Sequence, residues 1–329
     1  MRQARWGDSG IGLADMKPGP LPADWIRLRI AACGICGSDL HFYRRDFPPP
    51  PMAPGHEMVG YPIEAAPGLE DGLYAVEPLQ RCGRCAFCRA GTYNRCPEAR
   101  LFGIAAHGGL ADFIDVPAYT ALRVDPGLPP VVASLAEPLA VCVRATELAR
   151  LEPSSRVLVL GAGTIGLLAG LLARDRVARV AVTARHTHQR EAARHLGLEV
   201  VEESELRAWA AECAPDVVLE TVGGQADTLQ QAVASCRAGG RIVVVGVFGG
   251  NRELNALALM MKEVTLLGSN MYARGAQGSD FGAAVSLLPR LREELASLQT
   301  HQFPLDELGK AFETANDKQS GSIKVTLIP

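Results

Sequence analysis

Cys82-Gly-Arg-Cys85-Ala-Phe-Cys88, followed by Cys96, puts four thiols within fifteen residues, on a stretch that Gly83 and Gly91 can bend. Four sulfurs complete a tetrahedral zinc shell and leave no open position, so this spacing points to a structural metal site. An iron–sulfur cluster would suit similar spacing but has no other electron-transfer feature beside it, and unpaired thiols or a disulfide are the plain alternatives. A second constellation is dispersed: Cys33-Gly-Ile-Cys36-Gly-Ser38-Asp39-Leu-His41, then Gly55-His56-Glu57, then Ala136-Glu137-Pro138. A catalytic zinc needs three protein ligands and one open position, which Cys36, His56 and a carboxylate, Glu57 or Glu137, would supply. An alcohol on such an ion loses its proton near neutral pH, much as zinc-bound water falls from about 15.7 to about 7. Spacing alone leaves Cys33 and Cys36 readable as a redox pair and His56 as a surface or core histidine.

The third constellation is Val157-Leu-Val-Leu-Gly161-Ala-Gly163-Thr164-Ile165-Gly166. An apolar run ends in three spaced glycines and passes into Leu/Ala-rich sequence, which reads as strand, tight turn and helix. Gly161 allows the turn, Gly163 lets the backbone approach a pyrophosphate at the helix N-terminus, and Gly166 lets helix and strand pack closely. The plain alternative is a glycine-rich turn with no nucleotide. About 20 residues further on, NAD-binding sheets carry Asp or Glu for the ribose hydroxyls; here stand Thr183-Ala184-Arg185-His186. Without a carboxylate to repel a 2′-phosphate, and with a guanidinium to pair with it, the pattern favours NADP(H) over NAD(H), unless Arg185 merely opens the next helix in solvent.

The elements that must position these residues fall into two patterns. The first 60 residues are rich in Gly and Pro, with one clear strand in Trp25-Ile-Arg-Leu-Arg-Ile30, and short β-prone pieces follow at residues 73–76 and 111–116. From about Pro138 strand and helix alternate: residues 179–183, 216–220, 241–245 and 264–267 are short and apolar, as buried parallel strands are, and helical stretches at 188–196 and 227–237 close on glycines. Two helices, near 281–298 and 305–315, and a strand at 323–328 end the chain. The expectation is an α/β fold: a small irregular β domain over 1–138 with the metal lobe at 82–96, a doubly wound parallel sheet over 139–268, and a segment over 269–329 that returns to the first domain.

The totals narrow the function classes. The 33 basic against 36 acidic residues argue against a nucleic-acid or membrane-surface partner. No apolar run approaches the roughly 20 residues of a membrane span, and the start has no signal-peptide core, so the chain reads as soluble and cytoplasmic. Nine cysteines without an export signal suit metal better than disulfides.

Cys36-Gly-Ser-Asp-Leu-His41, Gly55-His56-Glu57, the four-cysteine lobe, Glu137-Pro138-Leu139 and the glycine turn occur in the order seen in the zinc-dependent medium-chain dehydrogenase/reductase family, which the chain resembles over nearly its whole length. It looks closest to the sorbitol, threonine and sugar dehydrogenase branch, which has Glu-Pro-Leu where other alcohol dehydrogenases place a cysteine. The resemblance implies a GroES-like β-barrel catalytic domain beside a Rossmann domain. It makes Cys36 and His56 catalytic zinc ligands, Glu57 a ligand or exchanging carboxylate, Glu137 the third or fourth group, and Cys82, Cys85, Cys88 and Cys96 structural ligands. Ser38 would pass the substrate proton toward His41 or solvent. Gly161, Gly163, Thr164, Ile165, Gly166, Ala184, Arg185 and His186 would hold the dinucleotide, Ser269 would run beside the nicotinamide, and Lys324 would reach the pyrophosphate. The implied reaction is hydride transfer between a secondary alcohol (polyol, sugar, cyclitol or amino alcohol) and NADP(H), by a homodimer or homotetramer. NAD dependence, a zinc-independent reductase and a non-catalytic metal-containing binder are the other readings. Residues 60–82 are shorter than the family pattern, which trims the barrel and leaves the substrate-lining residues unassigned.

Overall fold

The computed structural model describes residues 1–8, 10–64, 69–275 and 278–329; part of the shortened 60–82 stretch, residues 65–68, lies outside them. The chain divides into two compact units, Met1–Ala140 with Ala276–Pro329, and Val141–Gly275. Residues 139–140 and 269–275 therefore fall on the other side of the division from the sequence boundaries. Leu139 belongs to the helix Ala136–Ala149 and bonds back to Leu135, while the Ser269 N–H prolongs a sheet ladder to the Val244 carbonyl.

In the first unit, a seven-stranded sheet runs in the order Gln299–Pro304, Lys324–Ile328, Trp25–Gly34, Glu57–Glu64, Tyr74–Val76, Ala121–Arg123, with Phe113–Pro117 also pairing Trp25–Gly34. Ile26, Leu28 and Ile30 alternate along the central strand and are buried with Met58, Val116, Phe312 and Leu327. That alternation is what one buried sheet face requires. The strand continues four residues beyond Ile30 to Gly34, where a Cβ would lie 2.1 Å from Oε2 of Glu57, its antiparallel partner, and would displace that carboxylate.

Several elements differ from expectation: Glu57–Glu64 and Glu199–Val201 are strands the pattern did not mark, and Thr265–Gly268, expected to be buried, is an exposed edge strand. Arg2–Gly7 and Gly10–Asp15 form an antiparallel pair in the Gly-rich opening, where only one strand was legible. The helix expected near 281–298 is two helices, Asp280–Leu287 and Arg292–Leu298. Gln299–Pro304, too polar to read as a strand, pairs in parallel with Lys324–Ile328. Its alternate residues are exposed, so edge pairing overrode composition.

In the second unit, six parallel strands run in the order Glu199–Val201, Arg179–Thr183, Arg156–Leu160, Val217–Glu220, Arg241–Val244, Thr265–Gly268. Numbered along the chain this is the doubly wound order 3-2-1-4-5-6, whose reversal beside the first strand leaves a crevice at the carboxyl ends. Leu158, Leu160, Ala181, Val218 and Ile242 fill the core. Among the described residues no helix is long and apolar enough to cross a membrane.

Candidate functional site

The Cys-Gly-Ser-Asp run starts a helix. Cys36 is extended (φ −88°, ψ 156°) and precedes Gly37–Tyr43, and Oδ2 of Asp39 accepts the Cys36 N–H at 3.0 Å. This return of an acidic side chain satisfies a backbone donor that the helix leaves open. The other Asp39 oxygen, Oδ1, lies 4.0 Å from His56 Nδ1, and both atoms are buried without a hydrogen-bond partner. Gly55, at φ +101°, turns the chain so that His56 and Glu57 enter the interior; a Cβ there would come within 2.7 Å of the Leu110 nitrogen.

Cys36, His56 and Glu57 offer ligand atoms that all lie within 4.8 Å of one another. Glu137, from the first turn of Ala136–Ala149, is buried beside them but outside that cluster. Burial pushes its carboxyl up to about 7, with the neighbouring Glu57 and Asp39 adding to the rise against His56 and Lys324. Burial likewise raises Asp39. For His56 burial opposes the charged ring, yet Cys36, Asp39 and Glu137 outweigh it and lift the imidazole well above its ordinary value. A pocket that draws protons onto buried groups is short of positive charge, which a divalent cation relieves. With a mixed sulfur, imidazole and carboxylate donor set gathered in that pocket, the residues fit a zinc ion.

Lys324 corrects an expectation. Its ammonium, 3% exposed, donates to both Glu57 oxygens at 2.7 and 2.6 Å and to the Ile35 carbonyl at 3.0 Å. All three of its donors are spent inside the first unit, so it is neither a pyrophosphate ligand nor a solvated strand lysine. Lys324–Ile328 is flanked by strands on both sides, and the side chain turns inward to the buried Glu57 carboxylate. Ser38 and His41 sit three residues apart on one helix face. No hydrogen bond joins them among the described residues; His41 Nδ1 instead meets Asp46 Oδ2 at 2.7 Å.

The cysteine lobe gathers as its spacing implies. Cys82, Cys85, Cys88 and Cys96 have sulfurs within 4.8 Å of one another, with Cys82 at 3.6 Å from Cys96 and 3.9 Å from Cys88. A tetrahedral shell with a Zn–S bond of about 2.3 Å requires sulfur separations of about 3.8 Å. The Cys85 and Cys88 N–H groups each point at the preceding cysteine's sulfur at 3.4 Å. Cys82 is lowered to about 7, chiefly by the backbone N–H groups of Arg84 and Cys85. All nine cysteines are free thiols.

In the second unit the three glycines have separate physical roles. Gly161 has φ +99°, and a Cβ on it would lie 2.6 Å from Val222 Cγ2. One on Gly166 would lie 1.9 Å from the Gly161 carbonyl oxygen. Gly163, the N-cap of the 11-residue helix Thr164–Arg174, faces open space, with nothing within 4 Å of its would-be Cβ. An open helix N-terminus whose next residues are Thr164 and Ile165 fits a pyrophosphate. Thr183 Oγ1 accepts the Gly161 N–H at 2.9 Å, and Ala184 is buried. Arg185 is exposed and pairs with Glu203 at 3.3 Å; His186 caps the helix Thr187–His195. Ser269 Oγ is buried without a partner.

Two neighbours escaped the sequence reading. Arg190 lies on the Arg185 carbonyl at 3.0 Å and pairs with Glu202 at 3.3 Å, adding a second guanidinium one helical turn beyond the Ala184–Arg185 position. Glu220 is fully buried; its Oε1 accepts from the Val222 and Gly223 N–H groups and the Thr228 hydroxyl at 2.7–3.0 Å, shaping the turn against Gly161. A carboxylate ending the apolar run 216–220 was the available signal.

Residues 22–126 match the family model described as an alcohol dehydrogenase GroES-like domain, and residues 164–289 that of a zinc-binding dehydrogenase. The chain is 30% identical over 308 residues to L-galactonate-5-dehydrogenase of Escherichia coli strain K12, covering 89% of each chain. It is 27% identical over 330 residues to sorbitol dehydrogenase of Halalkalibacterium halodurans, covering 95% of this chain and 94% of the relative. The NADP-bound structure of a Sinorhizobium meliloti 1021 protein assigned as a zinc-binding dehydrogenase superposes with a TM-score of 0.88 at 30% identity, over 100% of this chain and 99% of that one.

Proposed function

The chain belongs to the zinc-dependent medium-chain dehydrogenase family, and from that premise we propose that it moves a hydride between a secondary alcohol of a polyol, sugar acid, cyclitol or amino alcohol and NADP(H). The observation that carries the reading is the convergence of Cys36, His56 and Glu57 within 4.8 Å in a buried, cation-deficient pocket. Cys36, His56 and a carboxylate, Glu57 or Glu137, would hold the zinc ion, which when bound polarises the substrate oxygen. The chain's own groups do the rest. Ser38 takes the hydroxyl proton and passes its own toward His41, while the buried carboxylates and Lys324 keep the pocket's charge balanced. Cys82, Cys85, Cys88 and Cys96 would hold a second zinc, which stabilises the lobe and takes no part in the chemistry. The names of the relatives, a galactonate and a sorbitol dehydrogenase, support a polyhydroxylated substrate. Screening polyols, sugar acids, cyclitols and amino alcohols with NADP and NAD, reading reduced cofactor by absorbance, tests the reading; no turnover with any of them by the zinc-loaded protein would defeat it.

The preference for NADP rests on the residues where a ribose-binding carboxylate would stand. Ala184 is buried and chargeless, and Arg185 and Arg190 offer two guanidinium groups, each with only an exposed or half-exposed glutamate as its charge partner. Such pairs are worth at most about 1 kcal/mol and yield to a phosphate. Replacing Ala184 by Asp and Arg185 by Ala should reverse the preference by about tenfold or more, read as the ratio of kcat/KM for the two cofactors. A lower KM for NAD than for NADP in the unaltered enzyme would overturn the assignment.

A homodimer or homotetramer is the proposed assembly. Thr265–Gly268 is an edge strand with Leu266 37% exposed, and the preceding helix Ala256–Met261 exposes Leu257, Met260 and Met261 at 60–71%. An uncovered strand edge among apolar side chains is what a second copy would cover. In sedimentation at micromolar concentration the protein should run as a dimer or tetramer and Leu266→Asp as a smaller species; a monomeric parent protein would rule this surface out.

A further inference from the structure

We infer that Asp46 is a positioning residue: it holds His41 with its proton on Nδ1 and so leaves Nε2 as the proton-accepting atom. The inference rests on the proposed proton path through Ser38 and His41. The helix Gly37–Tyr43 ends two residues past His41, and the chain then doubles back. Arg45 takes φ +65°, a left-handed conformation that a residue with a Cβ keeps only when its surroundings hold it there. Its guanidinium is anchored on the Gly7 and Asp8 carbonyls.

The reversal brings Asp46 onto His41 twice. The Asp46 N–H donates to the His41 carbonyl at 2.9 Å, and Asp46 Oδ2 lies 2.7 Å from His41 Nδ1. Arg44 donates to the same oxygen through Nε at 3.1 Å and Nη2 at 2.9 Å, and its Nη1 reaches Asn316 Oδ1 at 3.2 Å. The Phe47 ring packs 5.5 Å from the imidazole, whose side chain is only 12% exposed. The ring is therefore fixed on one nitrogen and one face, by residues that come from four consecutive positions after the helix.

The neighbours settle the tautomer. Arg44 Nη2 also lies 3.1 Å from Nδ1, but an arginine can only donate and an ionised aspartate can only accept. The shorter contact is to the carboxylate, so Nδ1 carries the hydrogen. The hydrogen bond from His41, reinforced by Arg44, keeps Asp46 below the usual carboxylate range and hence ionised at neutral pH. In alcohol oxidation the substrate hydroxyl proton moves to Ser38 Oγ as the Ser38 proton moves, directly or through one water, to His41 Nε2. The ring is then an imidazolium with Nδ1–H still on Asp46, and it returns to neutral by releasing the Nε2 proton to solvent. The electron pair leaves separately, as hydride to the nicotinamide. An aspartate that orients a histidine base in this way acts through tautomer and geometry and does not itself take up the proton.

The test uses the full-length, zinc-loaded enzyme labelled with 15N on histidine, with His41→Gln identifying the His41 signals. The unaltered protein should show His41 protonated on Nδ1 with a free Nε2 lone pair. Asp46→Asn, which keeps the shape and can present an amide N–H to Nδ1, should shift His41 toward the Nε2–H form. It should lower kcat by about tenfold or more while the cofactor KM stays within about twofold. An Nε2–H tautomer in the unaltered protein overturns the inference whether or not the variant folds, and so do unchanged His41 signals in Asp46→Asn. Full turnover by Asp46→Asn beside an impaired His41→Gln defeats the inference alone. Full turnover by His41→Gln defeats the proton path beneath it.

Discussion

Replacing Cys36 by Ala should lower kcat/KM by at least about a thousandfold, because the Lewis acid it would help to hold contributes several kcal/mol at the transition state and each 1.4 kcal/mol is tenfold. Zinc content should fall from about two ions per chain to about one, since the four-cysteine lobe is complete without Cys36. Cys85→Ser should lose the other ion and behave differently. Its sulfur caps the short helix Ala86–Arg89 and accepts the Cys88 N–H, so its loss should appear as lowered resistance to unfolding and proteolysis of residues 82–96 before any loss of chemistry in the surviving folded protein. Atomic absorption with steady-state rates separates the two. Near-normal turnover by a Cys36→Ala protein containing a single zinc would show that the chemistry does not depend on the Cys36, His56 and Glu57 cluster.

The second large effect is expected at Lys324. The ion pair with Glu57 is 3% and 1% exposed, and the same ammonium also favours the ionised forms of Glu137 and Asp39. Burial works against the Lys324 ammonium, yet Glu57 beside it raises its pKa. The pair's contribution is therefore whole at neutral pH and is lost only as pH rises above the ordinary lysine value of about 10.4 and through the higher folded one. Lys324→Met keeps the length of the side chain and strands Glu57 as a buried charge, which typically costs about 3–5 kcal/mol. In denaturant unfolding of the first unit the midpoint should fall accordingly, and Glu57→Gln added to Lys324→Met should recover much of the loss. The penalty should be larger after chelation than with zinc present, because the metal then offers Glu57 another cation. Equal penalties in the two states, or a single variant as stable as the parent, would mean that Glu57 does not depend on this lysine.

Much of the chemistry was legible because its signals are local. Four cysteines at short spacing can close a shell only on one loop, so Cys82, Cys85, Cys88 and Cys96 meet in space as they do in the chain. The turn and helix start lie within six residues, and a would-be Cβ clashes at Gly161 and Gly166 while Gly163 faces open space. The strands Arg156–Leu160, Arg179–Thr183, Val217–Glu220 and Arg241–Val244 were readable for the same reason, since a buried parallel strand is uniformly apolar and needs no partner to be recognised. The three-residue Glu199–Val201 has no such signature, and Thr265–Gly268, expected to be buried, is an exposed edge strand.

What failed was long-range or polar. The family resemblance placed Lys324 on the cofactor; its partner is 267 residues away, two strands across the sheet with Trp25–Gly34 between them. Gln299–Pro304 has no apolar period and exists as a strand because the edge of Lys324–Ile328 was free to pair. Asp46 lies five residues from His41, beyond the helix, and only the left-handed Arg45 returns it.

From residue order alone come the family, the two clusters of potential metal ligands, the glycine turn and the lack of a carboxylate at Ala184, all of which depend on side-chain type at fixed intervals. Tertiary structure alone decided which carboxylate stands with Cys36 and His56, which cation balances it, and which face of His41 is held. Those outcomes depend on sheet register and on burial, where a charge must find an opposite partner or be neutralised, and neither register nor burial is written in the spacing of neighbouring residues.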